Sequence, residues 1–239
     1  MNDITTTEDP LYSGKVLYSN HKRSVILIRI FQVLLVLTVI AILSNIMELQ
    51  LLYKMQVEEV NLTILENNDL RQSIIGFLQL GLTIASIVVF LNWFRRSYGN
   101  LHRLGVHPNQ SESATIWTWF VPILNLFRPF QIMKEIWYET QFTIRKSDVT
   151  FQIKEGDLLL GTWWILFIAT GILGRIIFQN AMSSETVEEY ITGSTLTLFS
   201  DILDFAGAIT VIVIVKNVSK WEARIVEEIT ANGGTVKMI

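Results

Sequence analysis

Four long apolar runs, separated by charged stretches, set the pattern of this chain: roughly residues 25–45, 73–94, 158–178 and 195–215. Each reaches the ~20 residues that a helix needs to cross the hydrocarbon core of a bilayer. The pattern predicts an all-α, polytopic membrane protein with four transmembrane helices. Its membrane domain covers 25–216, with tails at 1–24 and 217–239. A further apolar stretch, Thr115–Met133, breaks the rule, because Pro122 and Pro129 interrupt it and Asn125 and Arg128 lie between them. Proline removes a backbone donor and clashes one turn back, so no straight helix runs through both sites. Irregular backbone at membrane depth survives only where protein or a water-lined cavity covers it. The segment 114–137 is therefore expected to be a re-entrant or in-plane element.

Lysine and arginine decide between that element and a fifth, kinked span. Lys15, Lys22 and Arg23 precede the first run; Arg95, Arg96 and Arg103 follow the second; Lys216, Lys220, Arg224 and Lys237 follow the last. The 46–72 stretch is mostly acidic, and 179–194 holds Glu185, Glu188 and Glu189 with no Lys or Arg. The positive-inside bias places both termini and the 95–157 region in the cytoplasm. Residues 95–113 and 134–157 then share one side. A crossing at 114–137 would move the basic tail outside, so charge favours a segment that enters and leaves by one face.

Local signals refine this picture. The second span should continue as a helix through LNWFRRSYGNLHRLG and stop at Gly105. Ser111 or Ser113 can cap a short helix, Ala114–Val121, that Pro122 ends. Arg128 precedes a proline and should be extended, while Pro129 suits the start of the next helix. There Phe130, Met133, Ile136 and Trp137 recur at helical spacing, with Lys134, Glu135 and Glu139 on the other face. That stripe is expected to lie along the membrane surface. Trp117, Trp119 and Trp137 read as interfacial anchors. The 138–157 stretch reads as a cytoplasmic loop. Gly161, Gly171 and Gly174 read as packing glycines of the third span.

The run FRRSYGN (94–100), followed by WFVPILNLFRPFQIMKEIW (119–137), resembles the central signature of the bacterial membrane proteins grouped as domain of unknown function 4328. Trp163-Trp164 at the start of the third span fits the same pattern, and the resemblance covers roughly residues 70–220. It implies a multi-span bacterial membrane protein and supplies no catalytic residues.

Charge and composition exclude several functions. Only 17% of residues are charged and the net charge is −3, so there is no concentrated basic face of the kind nucleic acid requires. The absence of cysteine removes disulfides, thiolate catalysis and sulfur metal sites. The three histidines, His21, His102 and His107, form no convincing metal set. Arg96-x5-His102 matches the loose spacing of helical ribonucleases, a pattern that a basic juxtamembrane helix meets by chance. No nucleophile-elbow, zinc-protease or Walker sequence is present. Neither a cofactor nor a metal is expected, and the first apolar run reads as an uncleaved anchor.

Candidate binding residues are the ionisable and amide groups inside the apolar runs, since these are costly there and usually face an interior or cavity. Asp201 and Asp204 lie three apart on one helical face. At 1.5 Å per residue, Arg175, Asp201 and Asp204 lie ~5, ~9 and ~14 Å inside the outer boundary. The arithmetic pairs Arg175 with Asp201, leaves Asp204 without a cation, and puts Gln79 within reach of either aspartate. Asn125 and Arg128 either line a polar pocket at the cytoplasmic side, or Arg128 simply reaches lipid phosphate. The expected role is a non-enzymatic binding, scaffold or sensory module whose partners are the lipid bilayer and a second copy of itself. The alternative is a small channel or transporter using Asp201 and Asp204; a membrane-associated nuclease or hydrolase is more distant.

Overall fold

The computed structural model describes residues 16–238. Residues 1–15, most of the expected N-terminal tail, lie outside the described residues. In chain order the elements are β1 (Val16–Tyr18), α1 (His21–Met55), α2 (Leu62–Arg103), α3 (Ala114–Trp117), α4 (Pro122–Asn125), α5 (Arg128–Ser147), α6 (Asp157–Ser183), α7 (Val187–Ala231) and β2 (Thr235–Lys237). Among the described residues, α1, α2, α6 and α7 are the four helices long and apolar enough to cross a membrane. The fold is all-α, with four candidate spans. The strands add a short parallel pair in which Val16 lies opposite Thr235 and Tyr18 opposite Lys237.

The helices exceed the apolar runs. The acidic 46–72 stretch is helical except for residues 56–61, and 217–231 continues α7 rather than forming a loose tail. The chain divides into two compact units. Unit 1 is built from residues 16–26, 89–158 and 215–238; unit 2 from residues 27–88 and 159–214.

Unit 1 contains the proline-broken segment. α2 ends at Arg103, and the chain turns at Gly105, whose φ of 73° is the left-handed conformation that a helix stop favours in glycine. The two limbs of the segment then meet. Asn109 donates to Glu135 through its backbone N–H (3.1 Å) and its side-chain Nδ2 (2.9 Å). Tyr98 Oη donates to the same carboxylate at 2.6 Å and accepts from Gln110 N at 2.9 Å. A segment whose ends share one carboxylate is a hairpin, not a fifth span. Its tip exposes Trp117, Phe120, Ile123 and Leu126. Trp119 instead packs edge-on against Phe90 and Phe94, with centroids 5.7 and 6.0 Å away.

Several local expectations change. The first short helix stops at Trp117 rather than Val121, and Ser113 caps it without a side-chain bond. Val121, before Pro122, is extended as the proline rule requires. Arg128 is not: it is the first residue of α5, with Pro129 in the same turn, where a missing N–H costs nothing. The 138–157 loop is helical through Ser147. The apolar stripe of α5 is covered by protein rather than membrane: Ile132, Met133, Ile136, Trp137 and Ile144 are at most 1% exposed. Trp137 is thus a core residue and not an interfacial anchor.

The Tyr98 clamp is testable. Burial first, and then the Glu135 carboxylate, push the Tyr98 hydroxyl well above its ordinary pKa, so it stays a donor. Tyr98→Phe should cost about 1–3 kcal/mol, the scale for losing a bond to a charged acceptor. Thermal unfolding should register the loss, and hydrogen exchange should speed up at Gln110.

Candidate functional site

Within unit 2, three helices bring polar side chains to one point. Asp201 of α7 is 4% exposed. It accepts from Asn45 Nδ2 of α1 at 2.6 Å and from Gln79 Nε2 of α2 at 3.0 Å. Both donors are neutral. The charge of the carboxylate is therefore hydrogen-bonded but not balanced.

The network extends in one direction. Gln72 Nε2 donates to Asn45 Oδ1 (3.4 Å) and to Glu48 Oε2 (2.7 Å). Ser44 Oγ donates to Gln72 Oε1 at 3.1 Å and accepts from Arg71 Nε at 2.9 Å. Arg71 also reaches Asn68 Oδ1 at 2.6 Å. Arg71 is thus connected to Asp201 through Ser44, Gln72 and Asn45. In the opposite direction the buried side chains are Leu37 and Ala41 of α1 and Ala208, Val211, Ile212 and Ile214 of α7. Thr38 and Ser86 are buried there too, and Ser86 Oγ turns back to Thr83 O of its own helix (2.8 Å). Asp201 accepts no hydrogen bond from this direction among the described residues, although these two hydroxyls and Asp204, one turn along α7, lie there.

The other candidates separate. Asp204 is exposed and has no hydrogen-bond partner among the described residues. Arg175 is exposed on α6 and pairs with no acid among the described residues, so the expected Arg175–Asp201 pair is not formed. Height along a helix leaves the facing direction open, and Arg175 is exposed. Asn125 has a buried, unpartnered Oδ1 at the end of α4. Arg128 turns away from it, donating to Gln131 Oε1 at 3.0 Å and stacking on Phe127. Among the described residues no hydrogen bond joins Asn125 to Arg128. Gly161, Gly171 and Gly174 face open space in this chain, so they are not packing glycines within it. No group of three metal-ligating His, Asp or Glu side chains occurs among the described residues.

Sequence reading missed a second polar cluster, in unit 1. Asn20 Nδ2 donates to Ser97 Oγ (2.8 Å) and Trp93 O (3.2 Å), and lies 3.4 and 3.5 Å from the two Glu222 oxygens. Asn20, Ser97 and Glu222 border a cavity of about 20 Å³, also lined by Leu17, Asn100 and Ile225. That is room for about one water. Burial pushes the Glu222 carboxyl up to about 7, opposed in part by the hydrogen bonds from Ser97 and Asn20. The signal was available in the chain. Val218, Trp221, Ile225 and Ile229 form a buried helical stripe, and Glu222 sits within it.

No curated protein and no solved structure matches the chain. The span pattern and the hairpin built around the Asn–x–x–Arg–Pro run agree with one family match, which covers residues 57–220, more than half of the chain. The chain belongs to the family described as domain of unknown function (DUF4328).

Proposed function

We propose that this protein is a non-enzymatic binding or sensory module of the bacterial inner membrane, with both termini cytoplasmic. Its ligand site is the buried carboxylate Asp201, which takes up a proton or a small monovalent cation. The observation that carries this reading is the track from Arg71 and Glu48 through Gln72 and Asn45 to Asp201. A buried carboxylate held only by neutral amides lacks the counter-charge that such groups normally acquire inside a membrane. A ligand reaching it has a polar route from one end of unit 2, and no further hydrogen bond to Asp201 continues the track beyond it among the described residues. That arrangement supports binding and disfavours conduction. A channel or transporter is the second reading, favoured by Asp204, a second acid one turn along α7 from Asp201.

The two readings differ in liposomes. The binding reading expects no proton, sodium or potassium flux above protein-free vesicles. It also expects an infrared carboxyl signal, responsive to pH or to sodium, that disappears in Asp201→Asn. Flux that Asp201→Asn abolishes would establish transport and overturn the binding reading. Topology has a separate test, made clean by the absence of native cysteine. Ser111→Cys and Arg145→Cys, both at exposed positions, should react with an impermeant reagent from the cytoplasmic side, and Glu58→Cys and Glu185→Cys from the other side. Labelling of Ser111→Cys and Arg145→Cys from opposite faces would end this assignment.

A further inference from the structure

Unit 1 concentrates positive charge around a single aromatic ring. The guanidinium carbons of Arg96 and Arg103 each lie 4.6 Å from the centroid of Tyr18. Lys237 is the strand partner of Tyr18 in the β1–β2 pair. The stretches 16–26 and 89–113 together carry Lys22, Arg23, Arg95, Arg96 and Arg103 against one acid, Glu112. Glu112 is engaged by Arg95 at 3.2 Å and by Arg103 at 3.3 Å. Arg96 is half-buried and makes no ion pair or hydrogen bond among the described residues. Burial first, then the Arg23 and Arg103 charges, hold its guanidinium below the usual arginine value.

Among the described residues Arg96 has no acidic partner, and Arg103 keeps a buried Nη1 without a hydrogen bond, so both guanidinium groups have donors left for an anion. Tyr18 orders two of the guanidinium groups by stacking, which presets their planes. Gly99 contributes as well: a Cβ there would come within 2.7 Å of Arg103 Nη1 and 2.9 Å of the Glu112 carboxylate. A planar guanidinium with unused donors suits a tetrahedral oxyanion that has several acceptor oxygens. Arg23 closely precedes the first apolar run, and Arg96 closely follows the second. Both therefore flank candidate spans, at the level where lipid headgroups lie.

We propose that Arg96 and Arg103, stacked on Tyr18, form a binding site for a phosphate oxyanion of the kind carried by acidic phospholipid headgroups. The site is independent of Asp201, so either proposal can fail alone.

The test uses the full chain in nanodiscs of phosphatidylglycerol or of phosphatidylcholine, with retained lipid counted by native mass spectrometry after detergent release. Wild type should retain the acidic lipid preferentially. Arg96→Gln and Tyr18→Leu should each weaken retention about tenfold, the scale of one charge-assisted hydrogen bond. Arg96→Lys should recover only part of it, because lysine keeps the charge but loses the planar fork. Arg95→Gln, at an exposed and already paired arginine, should behave as wild type. A second arm titrates inorganic phosphate into detergent-solubilised protein and follows thermal unfolding. Arg96-dependent stabilisation by phosphate, without lipid selectivity, would keep the site and assign it a soluble ligand. Circular dichroism checks that each variant is folded. Two results overturn the proposal: wild type showing neither lipid selectivity nor phosphate stabilisation, or a folded Arg96→Gln that retains both.

Discussion

Replacing Trp137 by alanine is expected to remove about 3–5 kcal/mol of stability, the range for deleting a large buried aromatic. The indole is fully buried and meets Trp221 edge-to-face, with ring centroids 4.7 Å apart at 85°. Its Nε1 donates to Lys154 O at 2.9 Å. Gln141, one turn further along α5, brackets the same residue, accepting from Lys154 N at 2.7 Å and donating to Lys154 O at 3.2 Å. The two side chains thus fasten the connection between α5 and α6. Alanine would leave a cavity and remove one bond from a carbonyl that Gln141 alone would then hold. Trp137→Phe should cost less, about 1–2 kcal/mol, because it keeps a ring and loses the N–H bond.

Gly156 tests the same contact from the other side. A Cβ at that position would lie 2.4 Å from the Trp137 Nε1, so Gly156→Ala must displace the indole or the loop. Overpacking of this kind costs about 1–3 kcal/mol. Gly161→Ala, where a Cβ meets nothing, is the matched control. Thermal unfolding of the four proteins orders these effects. Trp137→Ala melting with wild type would remove the packing account of unit 1.

Trp137 also shows where sequence reading stops. Span positions were legible because length and apolarity are local properties. The hairpin was legible because two prolines and the loop charges constrain it independently. The α5 stripe was legible as a stripe, but an amphipathic period does not say whether lipid or protein covers the apolar face. Strand pairing of Val16 with Thr235 joins opposite ends of the chain and leaves no local trace. For the candidate site, Gln79 and Asp201 were found because an amide and a carboxylate stand out within apolar runs. Asn45 and Gln72 were missed because they sit at run boundaries, where polar residues are ordinary. Arg175 was misassigned because height along a helix fixes no direction around it.

Glu222 carries the largest expected pH effect. It lies beyond the last apolar run, within the stripe that α7 buries in unit 1, and its neighbours Asn20 and Ser97 bring no positive charge. The folded-state value of about 7 lies above the ordinary 4.5. Between those values the folded protein holds a proton that the unfolded chain has released, so stability falls as pH rises. The contribution is complete below the lower value and lost as pH passes through the upper one. At 1.36 kcal/mol per pKa unit, the loss amounts to roughly 2–3 kcal/mol, allowing for the partial exposure of the carboxyl. Glu222→Gln removes the titration while keeping shape and hydrogen-bonding capacity. The two proteins should melt together near about pH 4, and the variant should be the more stable near about pH 8. Comparing them isolates this group from every other titration in the chain. A difference that stays constant across that interval would mean that the Asn20–Ser97–Glu222 cluster holds a permanently charged carboxylate, and the cavity beside it would then have to admit water or a counter-ion.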